Sequence, residues 1–482
     1  MGAGAVWITL MNTVGCEPKQ AHSGHSPPAQ SRQDVQTFRS RPDLSPPAVE
    51  VASQAHGTAP GFVFLAAKEG PGQYGPMILN GGGQLVWFRP VQNEGEYAMD
   101  FKVQRYRGEP VLTWWEGRVH GYGTGNYWIF DGSYRHVRQV HAGDGYWGDH
   151  HEFLITPQDT ALITIYNSVR MDLSPLGGSE EGWVLDGIAQ EVDIETGEVL
   201  FEWHSLDHVG LDESYGELPD NPELSYDYFH INSIDVDHDN NLLVSARKTS
   251  TVYKIDRKSG EVIWRLGGKK SDFEMGPGTG FALQHDARRQ PDGTITIFDN
   301  SAARKARDES RAIVVELDMD EMSATLVRAY GHPDKLFAAT QGNAQVLSNG
   351  NVFVGWGSDP VFSEFGRDGE LLFDARLPPQ AESYRAFRFP WSGYPSDRPA
   401  VVAERTSKEE VRIYASWNGA TEAVAWEVLS GPKPGQLEPL GSVPRDGFEM
   451  AMLVHNTEPY VAVQAKNSSG RVLGTSKTLK PG

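Results

Sequence analysis

The 482-residue chain has a single cysteine, Cys16. No disulfide can form within the chain, and a metal site built from several cysteines is excluded. Basic residues are also scarce, 43 against 64 acidic ones, which gives a formal net charge of −21. A surface of this sign repels a phosphate backbone, so we expect no nucleic-acid partner.

Glycine, proline and aromatic residues are abundant. The chain has 52 Gly, 30 Pro, 13 Trp, 17 Tyr and 20 Phe. Short runs rich in Val, Ile, Thr and Tyr alternate with turn residues, a pattern that is typical of short β-strands. A chain of this length buries enough apolar surface for more than one domain. We therefore predict an all-β protein with more than one domain.

The N-terminal segment resembles that of an exported lipoprotein. Residues 2–15 are small or apolar, but they are too few to span a bilayer. Thr-Val-Gly-Cys at 13–16 resembles a bacterial lipobox, whose cysteine is lipidated. Residues 17–56 are rich in Pro, Ser, Gln and Ala and have no periodicity, as in a disordered tether.

These features predict a signal and lipobox segment over 1–16, a disordered tether over 17–56, and lipidation of Cys16. The protein is then exported, as a lipoprotein of the bacterial cell surface or periplasm. Its contact with the membrane is limited to the N-terminal anchor. The alternative is a cytoplasmic protein with a disordered tail.

A turn followed by an apolar pair recurs six times between residues 57 and 397. Its copies lie at 81–87, 131–133, 196–201, 259–264, 320–322 and 368–373. Most units also contain an upstream hairpin, such as the one at 240–245. The spacing of roughly 47 to 65 residues is that of propeller blades, which have four strands each. We predict a six-bladed β-propeller over 57–397; a stack of β-sandwiches is the alternative.

The pattern changes at about residue 398. Strands of alternating polarity are predicted at 411–417, 423–428, 449–454 and 460–465. This pattern predicts a fibronectin III or immunoglobulin-like β-sandwich over 398–482, with no evident chemistry of its own.

Three histidines open β-runs at matching positions of three repeat units. His151, His230 and His285 each stand where the first strand of a unit begins. In a propeller this strand lines the central channel, so we expect the three imidazoles to converge. The matching positions in two other units hold Asp100 and Asn343.

A second set of polar residues follows the next strand of each unit. Arg247, Asn167 and Asn300 occupy these positions. If the strands return to the same end of the channel, an arginine joins the histidines in an anion-binding arrangement. We predict that Asn167, Asn300 and Asn343 bind substrate. The aromatic residues that could flank a phenol, although most are expected to pack between units, are Trp114, Trp115, Tyr146, Trp147, Tyr166 and Trp356.

Several spaced motifs resemble bacterial arylsulfate sulfotransferases. The resemblance extends over about residues 60–400 and is strongest over 225–315. The motifs are His-Glu-Phe at 151–153, Phe-His-Ile-Asn-Ser-Ile at 229–234, Ser-Ala-Arg-Lys-Thr-Ser-Thr-Val-Tyr-Lys-Ile-Asp at 245–256, Gly-Glu-Val-Ile-Trp-Arg-Leu-Gly-Gly at 260–268, Gln-His-Asp-Ala at 284–287 and Phe-Asp-Asn at 298–300. The single cysteine and the added C-terminal segment indicate a divergent branch of that family.

The family is a six-bladed propeller that moves a sulfuryl group from one phenol to another without the nucleotide sulfate donor. The resemblance implies that His285 is transiently sulfurylated. It also implies that His151, His230 and Arg247 hold the sulfate oxygens and assist proton transfer. The expected partners are a small aryl sulfate donor and a phenolic acceptor, with no cofactor and no metal; the oligomeric state stays open.

Two other functions are compatible with the same residues. Three neutral imidazoles around a pore can hold a divalent metal for a lyase or hydrolase reaction, although Arg247 would then place a cation beside the metal. A non-catalytic propeller at the cell surface that binds an anionic or aromatic ligand is the other alternative, because the fold alone does not decide the function.

Overall fold

The computed structural model describes residues 8–10, 34–301 and 309–482, so Cys16 lies outside the described residues. Nearly all elements are β-strands in small, mostly antiparallel sheets, which confirms the all-β class. Among the described residues, no helix is long and apolar enough to cross a membrane. The short helical elements are Ser174–Leu176, Ser205–His208 and Leu211–Glu213.

Six sheets, numbered 1 to 6 along the chain, contain four antiparallel strands each. From the innermost strand outward, their strands are Glu382–Phe389, Phe62–Lys68, Gly75–Leu79 and Leu85–Phe88 in sheet 1; Tyr97–Tyr106, Glu109–Val119, Gly123–Phe130 and His136–Val140 in sheet 2; Asp149–Ile155, Thr160–Met171, Gly182–Asp193 and Val199–His204 in sheet 3; Ile231–Val236, Leu242–Ala246, Thr251–Ile255 and Val262–Gly267 in sheet 4; His285–Arg289, Ile295–Asp299, Arg311–Asp318 and Ser323–Gly331 in sheet 5; and Asn343–Val346, Val352–Gly355, Val361–Phe365 and Leu371–Arg376 in sheet 6. Glu274–Met275 adds a parallel fifth strand to sheet 5, and Glu50–Ser53 adds an antiparallel fifth strand to sheet 6.

The innermost strands of the six sheets contact one another in cyclic order. Sheet 1 closes the cycle, because its inner strand comes from the far end of the repeat region. Phe389 of that strand pairs with Phe62, and Glu382 pairs with Lys68. The sheets therefore surround one axis, and the start of each inner strand lies near it.

The six recurring turns all connect the third strand of a sheet to its fourth strand. In five of them an aspartate side chain accepts backbone N–H groups of the turn. For example, Asp193 Oδ1 accepts the N–H of Thr196 at 2.7 Å, and Asp256 Oδ1 accepts that of Ser259 at 2.8 Å. A left-handed residue follows, Gly197 at φ 76° in the first case, a conformation that glycine adopts without strain.

Apolar side chains pack between neighbouring sheets. Leu162 and Val184 of sheet 3 share one buried cluster with Ile234 and Val244 of sheet 4. Side chains on a strand alternate between its two faces. Each sheet is covered by a neighbouring sheet on both faces, so both faces carry apolar side chains.

Two further sheets, 7 and 8, enclose one apolar core that includes Ile413, Trp426, Met452 and Val461. The predicted change at residue 398 falls between the inner strand of sheet 1, which ends at Phe389, and the strand Ala400–Arg405 of sheet 7. In spatial order, the strands are Ile8–Leu10, Glu449–His455, Glu410–Ser416 and Ala400–Arg405 in sheet 7, and Gln436–Pro444, Ala425–Lys433, Tyr460–Lys466 and Val472–Thr475 in sheet 8.

The predicted disordered tether over 17–56 does not hold for its described part. Residues 50–53 pair with the outer strand of sheet 6. The Phe38 ring lies 4.5 Å from that of Phe448, and Glu449 accepts the backbone N–H of Ser40 at 2.6 Å. A few apolar residues of this segment, such as Val51, pack against a core cluster. These contacts attach the segment to the fold, although its overall composition is that of a linker.

Candidate active site

The three predicted histidines lie at the starts of the inner strands of sheets 3, 4 and 5: His151 is the third residue of its strand, His230 directly precedes its strand, and His285 is the first residue. Each strand changes its pairing register at that point, between Asp149 and Phe153 in sheet 3 and between His285 and Arg288 in sheet 5. His230 itself has a left-handed φ of 57°. Such bulges redirect side chains at the start of a strand.

The structure brings these imidazoles together around Tyr384. The ring centroids of His151 and His230 are 5.0 Å apart. Tyr384, on the inner strand of sheet 1, lies 5.5 Å from the ring of His151 and 6.5 Å from that of His285, edge-on to both. Its side chain is almost fully buried, so it forms a rigid apolar contact that three sheets share.

Hydrogen bonds fix the orientation of the His285 imidazole. Its Nδ1 bonds to Oδ1 of Asn300 at 2.7 Å, and its Nε2 accepts the backbone N–H of Gln341 at 3.2 Å. Burial lowers the pKa of His285 well below its usual value, and the nearby Arg247 cation lowers it further. The group is therefore a neutral imidazole at pH 7, with a basic nitrogen at Nε2.

Each of the other two histidines has a carboxylate partner. His230 Nδ1 donates to Asp227 Oδ2 at 2.5 Å, and His151 Nδ1 donates to Asp149 Oδ1. Burial lowers the pKa of His151 to about 3 despite the Asp149 charge. For Asp227, burial raises the pKa, but the hydrogen bond and charge of His230 together with Lys248 and His151 outweigh burial and lower it. Both carboxylates hold Nδ1 as a donor, so Nε2 is the ring nitrogen left to exchange a proton with a substrate.

Arg247 follows the second strand of sheet 4 and lies at the same end of the axis. Its backbone N–H bonds to the carbonyl of His230 at 2.9 Å, and its Nη2 donates to the carbonyl of Ala339 at 3.2 Å. Its buried Nε has no hydrogen-bond partner in the described part of the chain. A half-buried guanidinium whose buried Nε is an unused donor is suited to hold an anion.

The predicted substrate-binding asparagines have other roles in the structure. The amide of Asn300 holds His285 and donates from Nδ2 to two carbonyls, those of Ala338 and Gln341. Asn343 is fully buried, and its amide bonds to both the N–H and the carbonyl of Ala386. Both amides are thus already occupied by protein groups.

Asn167 is not grouped with the histidines either. It follows Tyr166 on a regularly paired strand, so its side chain points to the opposite face. Tyr166 does belong to the site: its ring lies 5.6 Å from His151 and 5.7 Å from His230. Of the six candidate aromatics, Trp114 and Trp356 pack in apolar clusters between sheets.

Asp100 belongs to a buried ion cluster rather than to the histidine group. It bonds to Arg385 Nη1 at 2.9 Å and to Lys102 Nζ at 2.7 Å. The cluster consists of Asp100, Lys102, Glu152, Asp286, Arg288 and Arg385. Its three cations and three anions balance, as buried charges must. Glu152 and Asp286 directly follow His151 and His285, so the cluster holds the strands that carry these histidines.

Sequence reasoning missed four contributors, namely Asp149, Asp227, Gln341 and Tyr384. The two carboxylates precede their histidines by two and three positions, a spacing that a search for local partners would find. Tyr384 offers no such signal, because it comes from a strand more than 200 residues away from His151.

Asp149, His150 and His151 each offer a metal-ligand atom, all within 4.8 Å of one another. Asp149 is already used, since its oxygens accept the backbone N–H groups of His151 at 3.0 Å and of Gly123 at 2.5 Å, besides the His151 ring. Asp149 is thus engaged in hydrogen bonds that orient His151, whereas Nδ1 of the buried His150 has no hydrogen-bond partner among the described residues.

Comparison with solved structures gives distant similarities. A protein of unknown function from Bacteroides caccae is 14% identical, with 68% of this chain and 98% of that chain covered and a TM-score of 0.42. A virginiamycin B lyase from Staphylococcus aureus is 8% identical, with 85% and 100% covered and a TM-score of 0.37. The GH43 protein BlXynB from Bacillus licheniformis is 9% identical, with 80% and 89% covered and a TM-score of 0.31.

No curated protein matches the chain. The profile of the family described as Arylsulfotransferase (ASST) matches residues 102–377, more than half of the 482 residues. This match includes His151, His230, Arg247 and His285, and it confirms the resemblance found in the sequence motifs. The chain belongs to the arylsulfotransferase family.

Proposed function

We propose that this protein transfers a sulfuryl group from a phenolic sulfate ester to a phenolic acceptor through a sulfo-histidine at His285, without a nucleotide donor. The observation that carries the proposal is the His285–Asn300 hydrogen bond, which places the lone pair of a neutral imidazole on Nε2. A neutral imidazole is a competent nucleophile near pH 7, and a sulfated nitrogen is a good leaving group.

In the first step, His285 Nε2 attacks the sulfur of the donor. The Nε2–S bond forms, the S–O(aryl) bond breaks, and the phenolate leaves. The imidazolium that results keeps its Nδ1–H on Asn300. His230, whose imidazolium form Asp227 stabilises, gives the departing phenolate a proton.

In the second step, the acceptor phenol replaces the first one. His230, now neutral, takes the phenolic proton while the acceptor oxygen attacks the sulfur. The S–Nε2 bond breaks and His285 is regenerated. His151 stays neutral, because burial lowers its pKa to about 3, and its ring packs edge-on against that of His230 at 5.0 Å.

The three sulfuryl oxygens need donors as the transfer proceeds. Arg247 supplies a cation that is poorly hydrated in its buried setting. The backbone N–H of Gln341 lies 3.2 Å from Nε2, so it is within reach of an oxygen on a sulfur bound there. Fixed donors of this kind are usually the largest source of transition-state stabilisation.

We also propose that sheets 1 to 6 are the blades of a six-bladed propeller and that sheets 7 and 8 form a β-sandwich. The cyclic contacts of the inner strands support the first proposal, and the shared core supports the second. Export and lipidation of Cys16 remain proposals that rest on the lipobox-like residues 13–16.

The decisive experiment is intact and peptide mass spectrometry after mixing the protein with 4-nitrophenyl sulfate. We expect a gain of about 80 Da, one SO₃, on His285, which is discharged by added phenol. The variant His285→Asn should show neither adduct nor nitrophenol. Asn343→Ala, which removes an equally buried amide elsewhere, is the control and should retain the adduct.

The other functions predict different results. If the sample shows no adduct but contains a divalent metal that His150→Ala removes, the Asp149, His150 and His151 cluster supports metal-dependent catalysis. If neither adduct nor metal is found, a ligand-binding role replaces the enzymatic one.

A further inference from the structure

A pocket of about 270 Å³ is lined by the inner strands of all six sheets and therefore lies on their common axis. We call it the distal pocket. Its lining residues from sheets 1 to 6 include, in that order, Phe389, Val103, Leu154, Asp235, Arg288 and Ala344. A concave site with apolar walls and a few polar groups is the usual setting for a small ligand.

The buried ion cluster separates the distal pocket from the histidine group. In the inner strand of sheet 5, His285 comes first and is followed by Arg288, which belongs both to the cluster and to the pocket. In sheet 3, Glu152 of the cluster lies between His151 and Leu154 of the pocket. Because each residue of a strand advances by about 3.3 Å, the histidines and the pocket lie on opposite sides of the cluster.

Two phenylalanines form an aromatic wall of the distal pocket. Phe387 and Phe389 are two positions apart on one strand, so their side chains share a face. Their ring centroids are 5.7 Å apart, and the Phe389 ring is only half-buried. Such a wall accommodates an apolar or aromatic group, and the face of an aromatic ring also attracts a cation.

Two glutamines of the distal pocket are already engaged in bonds between neighbouring strands. Gln104 donates from Nε2 to the carbonyl of Phe153 at 2.9 Å, and its Oε1 accepts the N–H of Ile155 at 2.8 Å. Gln345 bonds in the same way to the carbonyl of Arg388 at 3.0 Å and to its N–H at 2.8 Å. These amides hold the ring of strands together and are not available to a ligand.

Asp235 is the charged residue of the distal pocket that has no ion pair in the described part of the chain. Its Oδ2 accepts only a backbone N–H, that of Arg289 at 2.8 Å. The two cations of the pocket, Lys102 and Arg288, are paired within the balanced ion cluster. Asp235 is thus a carboxylate in excess over the cations. Burial raises its pKa to about 6, as is expected of a half-buried carboxylate without a counter-charge.

We propose that the distal pocket binds a small organic ammonium ion that carries one apolar or aromatic group. The ammonium group donates to Asp235 and supplies the missing positive charge, while the apolar group packs against Phe387 and Phe389. The apolar walls do not suit Ca²⁺ or Mg²⁺, which need several oxygen ligands. An anionic ligand would find no unpaired cation among the described lining residues. The site lies apart from His285, so the proposal does not depend on the transfer reaction.

Calorimetric titration of the full chain at pH 7 tests the proposal with two ligands of the same shape. 2-Phenylethylamine is a cation, whereas 2-phenylethanol is neutral, so the amine should bind more tightly. Asp235→Asn keeps an acceptor for the Arg289 N–H but removes the charge. The affinity for the amine should therefore fall about ten- to hundredfold, and the affinity for the alcohol should not change. Equal affinities of the wild type for both ligands, or no binding of either, would overturn the proposal.

Two further variants show whether the effect is local. Asp359→Asn removes another half-buried carboxylate whose pKa is raised by burial, between the second and third strands of sheet 6, and should leave both affinities unchanged. Phe389→Leu removes an aromatic face of the pocket and should weaken both ligands alike. A loss of amine binding in Asp359→Asn equal to that in Asp235→Asn would overturn the site. Unchanged binding of both ligands in Phe389→Leu would place them elsewhere and also contradict it.

Discussion

His285 donates its Nδ1–H to Oδ1 of Asn300 across 2.7 Å. The Asn300 amide cannot rotate by 180° and exchange its oxygen and nitrogen, because its Nδ2 donates to the carbonyls of Ala338 at 2.8 Å and Gln341 at 2.9 Å. An amide oxygen only accepts, so this contact selects the tautomer with the lone pair on Nε2. Asn300 is thus a positioning residue that acts through the nucleophile.

Removal of the Asn300 amide should therefore impair transfer more than binding. In Asn300→Ala, we expect kcat to fall about 10²- to 10⁴-fold with little change in the donor KM, because the reactive tautomer is no longer selected. Initial rates with 4-nitrophenyl sulfate measure the effect, and ¹⁵N NMR of the imidazole reports the tautomer directly. Asn343→Ala controls for the loss of a buried amide. A similar loss of kcat in that variant would contradict a specific role for Asn300.

Sulfurylation should depend little on pH on the acid side. Burial and the Arg247 cation lower the pKa of His285 well below 6.5, so Nε2 stays unprotonated to a lower pH than in an ordinary histidine. Nitrophenolate is a good leaving group and needs little proton donation. The rate of the first nitrophenol burst should thus begin to fall only at a pH well below 6.5, the pH near which an ordinary histidine begins to lose about tenfold per pH unit.

The dependence of the His285 pKa on the Arg247 cation can be tested by substitution. Arg247→Gln removes the cation, so the pKa of His285 rises and a fall in burst rate should appear at higher pH than in the wild type. Arg257→Gln, which breaks an ion pair with Glu191 away from the site, should leave the pH profile unchanged. Identical profiles for wild type and Arg247→Gln would contradict the electrostatic coupling.

His204 predicts an alkaline loss of stability. Its hydrogen bond to Asp186, at 2.6 Å, raises the pKa to about 9, with a further contact to Glu202. Because this pKa is higher in the folded than in the unfolded state, protonated His204 contributes to the free energy of unfolding. The contribution is complete below the unfolded pKa of 6.5 and is lost as the pH rises to 9. The denaturant midpoint should thus fall between pH 6.5 and 9, and less so in His204→Gln. Parallel curves for the two proteins would refute the assignment.

The sequence pattern was sufficient for the parts of the fold that repeat. The recurring turns occupy one position in every sheet, because an Asp or Asn side chain that accepts turn N–H groups and a left-handed residue, glycine in four of the six turns, are local requirements. The openings of the inner strands at His151, His230 and His285 follow from the same repeat. The family resemblance rests on these residues and was confirmed over 102–377.

Contacts between distant strands could not be predicted in this way. Tyr384 reaches the histidines only because sheet 1 closes the ring with a strand from the far end of the repeat region. Asn300 and Asn343 were expected at substrate, but a buried amide needs partners for both its atoms, and loop 338–342 and Ala386 supply them. The repeat position of Asp100 predicts that it lies with the histidines, whereas in the structure its carboxylate forms ion pairs with Arg385 and Lys102.

Gly342 tests the importance of the Gln341 backbone. It has a φ of 101°, and a Cβ there would lie 2.4 Å from the Phe298 ring, so Gly342→Ala must strain or shift the preceding peptide. We expect a loss of about 1–3 kcal/mol in the free energy of unfolding and a fall in kcat, because the Gln341 N–H leaves its place beside His285 Nε2. Gly331→Ala is the control, since its Cβ would meet no atom within 4 Å and its φ is not positive. Denaturant unfolding and initial rates at pH 7 measure both effects. If Gly342→Ala is destabilised but transfers sulfuryl groups at the wild-type rate, the Gln341 N–H has no part in holding the transferring group.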